Sequence, residues 1–112
     1  MTEPKLKARL AVQAIVRQCG THNLPAVVAA RGEDEAGALM IRLNRGQQGC
    51  ELFTQTRDAE GRLAWMRPLG PEPVPEAKAD AAVARARSID RDLWVIDIEI
   101  NEGRPPFLDP VL

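Results

Sequence analysis

A chain of 112 residues, 45% hydrophobic and 28% charged, is sized for one domain with a modest core that needs neither disulfide nor metal. Its 15 Lys+Arg against 16 Asp+Glu leave a formal charge of −1, which excludes a global field pulling it onto nucleic acid or an anionic membrane. No apolar run approaches a membrane span, the start MTEPK lacks the order of a signal peptide, and Cys19 and Cys50 have no C-x-x-C spacing, so the expectation is a cytoplasmic protein with ordinary buried thiols.

In KLKARLAVQAIVRQC (5–19) the apolar positions Ala8, Ala11, Val12, Ile15, Val16 and Cys19 recur at helical spacing, with Arg9, Gln13 and Arg17 opposite. This predicts an amphipathic helix ending near Cys19, with Gly20 as its cap. PAVVAAR (25–31) reads as a short strand opened by Pro25 at an edge position. After the polar loop GEDEAG, the segment ALMIRLN (38–44) alternates Leu39, Ile41 and Leu43 with Met40, Arg42 and Asn44, as a half-buried strand does. CELFTQT (50–56) and RLAWMRPL (62–69) follow through the Gly-bearing turns RGQQG and RDAEG, which suggests a meander. PLGPEPVP (68–75) holds four prolines and reads as a stiff connector. EAKADAAVARARS (76–88) predicts a second helix with a thin stripe of Ala79, Ala82, Val83, Ala86 and Ile89. The chain then enters DLWVIDIEI (92–100) and ends in NEGRPPFLDPVL, with 105–112 as an extended C-terminal tail.

The pattern amounts to a single α+β domain over 1–112, in the order α-β-β-β-β-α-β. Its expected core is an antiparallel β-sheet, a four-strand meander plus a C-terminal strand, with two helices on one face.

Alternation in the last strand puts Trp94, Ile96, Ile98 and Ile100 on one face and Leu93, Val95, Asp97 and Glu99 on the other. Met40, Arg42 and Asn44, and Arg62 or Arg67 from the fourth strand, can share that second face. Two acids beside arginines make either ordinary cross-strand ion pairs or the floor of a polar site, where carboxylates ligate a hard cation or act as acid and base. There is no third ligand at a telling spacing and no EF-hand loop, so no metal site is assigned. The same face also carries Leu93, Val95 and Met40, as a dimer or partner-docking surface does.

His22 and Ser88 lie far apart with no G-x-S-x-G elbow, and Cys19 falls in an apolar stripe, so no nucleophilic constellation forms. The loop RGEDEAGA (31–38) lacks P-loop spacing and reads as a solvated hairpin loop or an acidic knob. Asn44 and Arg45 open a turn that could present N–H groups to an anion. Trp65 and Trp94 read as core anchors rather than stacking platforms. Phe107, Leu108, Val111 and Leu112 give the tail enough apolar surface to tie across its own core, or to be exchanged with a second subunit.

The stretches VQAIVRQC, PAVVAARGEDEAGALMIRLNR, IDRDLWVIDIEINEGR and RPPFLD resemble a small bacterial family known as domain of unknown function 1491. The most specific positions are Arg31–Gly32, Ala36–Gly37–Ala38, Asn44–Arg45 and Asp92–Val95 with the acids that follow. Ala11 and Ala30 stand where relatives tend to carry an aromatic and a second arginine, which argues against a double-arginine anion site near Arg31. The resemblance implies a soluble bacterial protein and supplies no activity, cofactor or catalytic residue. It marks Arg31, Asn44, Arg45, Asp97 and Glu99 as polar positions to test, to which strand alternation adds Arg42 and Arg67.

The leading expectation is a small non-enzymatic interaction protein without a cofactor. It acts as a homodimer, or on an unidentified protein partner, through the second sheet face or the C-terminal arm. The alternative is a small enzyme or a ligand- or metal-binding protein with an Asp/Glu/Arg site on that face.

Overall fold

The computed structural model describes residues 7–112; the residues MTEPK and the expected helix start at Lys5 and Leu6 lie outside the described residues. The elements are helix α1 (Ala8–Thr21), strands β1 (Ala26–Ala30), β2 (Leu39–Asn44), β3 (Cys50–Arg57) and β4 (Leu63–Met66), helix α2 (Glu76–Ile89) and strand β5 (Trp94–Glu99). A short 3-10 turn, Gly46–Gln48, joins β2 to β3. The order of elements expected from periodicity is therefore present.

Their arrangement corrects the expected antiparallel sheet. The spatial order is β1-β5-β2-β3-β4, so β5 enters between β1 and β2 and only β2, β3 and β4 form a meander. β5 runs antiparallel to β1 but parallel to β2, which makes the sheet mixed. The physical reason lies in β5 itself. Trp94, Ile96 and Ile98 point to one side, Val95 to the other, and all four are buried, so the strand needs cover on both faces and neighbours on both edges. β1, with Val27 63% and Val28 40% exposed, is an edge strand.

The helices, expected on one face, lie on opposite faces. α1 inserts Ala8, Val12, Ile15 and Cys19 against Ile41, Leu43, Phe53, Trp65, Trp94, Ile96 and Ile98. α2 lays Ala82, Val83 and Ala86 over Met40, Leu52, Leu93 and Val95. The face expected to await a partner is thus covered by the chain's own second helix. Ile89, assigned to the stripe of α2, is 77% exposed at the helix end.

Two segments pair with the outer side of β3 and β4. In the proline connector, Val74 exchanges backbone hydrogen bonds with Cys50, 2.8 Å in each direction. Gly49 permits this approach, because at its φ of +105° a Cβ would stand 2.3 Å from the Val74 carbonyl oxygen. The C-terminal tail runs parallel to β4: Trp65 N donates to Pro110 O at 2.9 Å, and Leu112 N donates to Trp65 O at 2.8 Å. Leu108 is 1% exposed in the α1-side core, and Phe107 meets Trp65 edge-on with ring centroids 6.2 Å apart. The arm is therefore docked on its own chain.

Cys19 and Cys50 are both free and buried. Burial pushes each thiol above its ordinary range; near Cys50, Arg42 opposes the shift while Glu76, Asp80 and Asp97 add to it. The folded state therefore holds these protons more tightly than the unfolded chain. The stability this contributes is intact below the ordinary thiol pKa and is lost as pH rises through it and beyond. In urea titrations, stability should fall above about pH 8.5, and a Cys19→Ala, Cys50→Ala protein should lose that part of the decline; an unchanged decline would contradict it.

Candidate functional site

The parallel register of β2 and β5 sets Arg42 opposite Asp97 on the α2 side of the sheet. The guanidinium grips the carboxylate with both arms: Nε donates to Oδ1 at 3.1 Å and Nη2 to Oδ2 at 2.8 Å. Its remaining arm, Nη1, donates to Asp80 of α2. Arg42 is 16% exposed and Asp97 29%. Burial alone would lower the Arg42 pKa, but the hydrogen bonds and charges of Asp97 and Asp80 more than offset it and leave it above its ordinary value. The carboxylate in the middle of the most apolar strand thus belongs to an ion triplet that fastens α2 to the sheet.

Arg45 forms a second cluster at the other end of β2. Its Nε donates to Glu51, both side chains being about one-tenth exposed, while Nη1 and Nη2 donate to Ile100 O at 3.4 Å and Gly103 O at 2.7 Å. Asn44 Oδ1 accepts from Gly46 N at 2.9 Å and shapes the adjoining turn. Glu51 was not singled out from sequence. Its cue was a carboxylate at the period-two position of Phe53, on the buried face, where a charge requires a partner.

Arg31 belongs to a third. It bonds Asp34 at 3.0 Å, and its guanidinium carbon stands 5.5 Å from the Trp94 ring centroid. The loop expected to be a solvated hairpin or acidic knob folds around this indole. Trp94 Nε1 donates to Glu33 O at 2.8 Å, Trp94 N donates to Ala38 O at 2.8 Å, and Glu33 N donates to Asp92 O at 3.1 Å. A Cβ on Gly32 would lie 2.2 Å from Asp92 O and 2.5 Å from Trp94 Cδ1; on Gly37 it would lie 2.5 Å from Asp92 O. No side chain fits at either place. The same loop caps α1, since Ala8 N donates to Glu35 O and Arg9 N to Asp34 O.

The remaining candidates join none of these. Arg67 is half-buried, and its carbonyl accepts from Gly70 N in a turn. Glu99 is exposed at the end of β5. His22 Nδ1 lies 3.0 Å from Gln18 O, and Ser88 Oγ donates to Arg85 O, both at helix ends. Among the described residues no three His, Cys, Asp or Glu side chains gather as metal ligands would.

Two open features remain. At the β1 edge, Glu99 N donates to Pro25 O at 3.0 Å. In the register Ala26–Ile98, Val27–Asp97, Val28–Ile96 the bonded pairs alternate, so Val27 bonds inward while the N–H and C=O of Ala26 and Val28 point away from the sheet. The second feature is a groove beside α1, over the outer half of β3 and β4.

A family model described as protein of unknown function (DUF1491) matches residues 6–108. The chain belongs to the DUF1491 family. It is similar to a DUF1491 protein from Caulobacter crescentus CB15 in its crystal structure, with 31% identity, TM-score 0.84 and coverage of 96% of this chain and 100% of that one. An NMR structure of a DUF1491 protein from the same organism gives 32% identity, TM-score 0.80 and coverage of 98% and 99%. A solution structure of a protein from A. tumefaciens, at 24% identity, TM-score 0.75 and coverage of 91% and 92%, shares the fold. No curated protein matches the chain. In this DUF1491 domain, the motif positions Gly32, Gly37 and Asp92–Val95 are where the loop closes on Trp94.

Two stability measurements follow. Asp97→Asn leaves Arg42 with a weaker acceptor and should cost about 2 kcal/mol in urea unfolding; an unchanged midpoint would detach the triplet from stability. Gly32→Ala and Gly37→Ala should each cost more than about 2 kcal/mol and move Trp94 fluorescence, whereas Gly70→Ala, with nothing within 4 Å, should leave that fluorescence in place.

Proposed function

We propose that this domain is a non-enzymatic interaction protein that works through the β1 edge, and that its first partner is a second copy of itself. The observation that carries this reading is the asymmetry of the sheet edges. The outer side of β3 and β4 is paired at Cys50 by the connector and at Trp65 by the C-terminal tail, whereas among the described residues the N–H and C=O groups of Ala26 and Val28 in β1 have no partner and Val27 is 63% exposed. Free edges are commonly guarded by charge. The strand AVVAA carries none, so it meets its own copy without setting like charges together. A two-fold axis at Val27 pairs Ala26 of each copy with Val28 of the other, both exchanging N–H and C=O, and packs Val27 against Val27. Pro25 and the bulge between Val28 and Ala30 confine the pairing to this stretch.

The alternative, a ligand or metal site on the sheet, has less support, because Arg42 already occupies both Asp97 oxygens and α2 lies above them. Among the described residues no helix is long and apolar enough to cross a membrane. The two free thiols favour a reducing, cytoplasmic setting.

Sedimentation velocity over a concentration series is the test. Wild type should pass from monomer to dimer, and Val27→Lys, which sets two ammonium groups face to face, should remain monomeric, with the thermal stability of the wild-type monomer in dilute solution. A wild type that stays monomeric at high concentration, or a Val27→Lys variant that dimerises equally well, would overturn the proposal.

A further inference from the structure

We propose that the groove between α1 and the β3–β4 hairpin binds an apolar chain ending in a carboxylate, a medium-chain acyl acid being the simplest example. α1 turns Ala8, Ala11 and Ala14 to this side, and side chains so small do not fill the space above the strands. Two clefts result, about 200 and about 450 Å³, and they share Ala11, Gln55 and Leu63, so they form one groove. Its size is that of a small-molecule site.

The floor of the larger cleft is apolar, built from Leu63, Trp65 and Phe107. The smaller one ends at Arg57. Phe53, Gln55 and Arg57 follow one another on the α1 side of β3, so the face that α1 seals at Phe53 turns polar where α1 leaves it open. Arg57 donates from Nη1 to Gly61 O at 2.7 Å. Among the described residues it has no carboxylate within ion-pair distance. A half-buried guanidinium with donors to spare, at the end of an apolar trough, is complementary to a carboxylate head.

The neighbouring acid does not compete for it. Asp58 Oδ1 accepts from the N–H groups of Glu60 and Arg62, and Oδ2 faces Arg62 Nε at 3.7 Å. The larger cleft is bordered by Asp58, Asp109 and Arg62, whose guanidinium faces Asp58 and Glu60 at 3.7 Å each; the acids outnumber that paired cation, which sends the head toward Arg57 and leaves the hydrocarbon over the aromatic floor.

The test titrates decanoate, decanol and decylamine into the intact protein, following amide NMR shifts of Ala11, Ala14 and Leu63 and the Trp65 indole. Decanoate should bind at this groove about tenfold or more tightly than either analogue. Arg57→Gln should bring decanoate down to the decanol value, and Ala14→Met, an exposed helix substitution that fills the groove, should weaken all three. No binding below the micellar range, equal affinity for the three, preference retained in Arg57→Gln, or shifts confined to another surface would each overturn the proposal. The readout lies away from the β1 edge, so it is independent of self-association.

Discussion

The last strand of the chain is the second strand of the sheet, and the rest of the fold follows from that insertion. β5 is buried on both faces, with Trp94, Ile96 and Ile98 toward α1 and Val95 toward α2. A strand of this kind cannot lie at an edge or face water, so β1 is held outside it, β2 beside it, and one helix covers each side. β1 has no other strand to pair with among the described residues, and its attachment therefore waits on the end of the chain being in place.

Polar residues near β5 serve that arrangement. Arg42 ties Asp97 to α2, Arg45 ties Glu51 to the turn at Ile100 and Gly103 that leads into the tail, and the loop 31–38 wraps the Trp94 indole while its carbonyls cap α1. Each cluster joins segments distant in sequence. The family motif positions fall largely in these joints, which makes them read as parts of the scaffold, and leaves the open edge and the groove as the surfaces where function is proposed.

Much of this was legible in sequence. Helical spacing placed both helices, alternation together with Pro- and Gly-bearing turns placed the strands, and alternation assigned Asp97 and Arg42 to one face. Neighbourhood was less legible, because alternation tells which way a side chain points and not which strand lies beside it. The cue for a central β5 was that Leu93 and Val95 are as apolar as Trp94 and Ile96, a two-sided pattern that a strand covered by helices on one face alone would not need. Opposite placement of the helices follows from the same residues. The loop around Trp94 was illegible for a different reason: Gly32 and Gly37 are required by contact with a strand some sixty residues later, whereas a local reading of Gly and three acids gives a solvated turn. The groove likewise exists only where the alanines of α1 meet Gln55 and Arg57.

Native-state hydrogen exchange tests most directly whether the fold, with its polar groups engaged internally, leaves β1 as its working edge. The β5 amides should be the slowest in the molecule, and Val27, bonded inward, should be protected at every concentration. The amides of Ala26 and Val28 should exchange rapidly in dilute protein and become protected as concentration rises. Ala26 and Val28 amides that exchange equally fast at all concentrations, or a β5 that exchanges as readily as β1, would contradict the central claim.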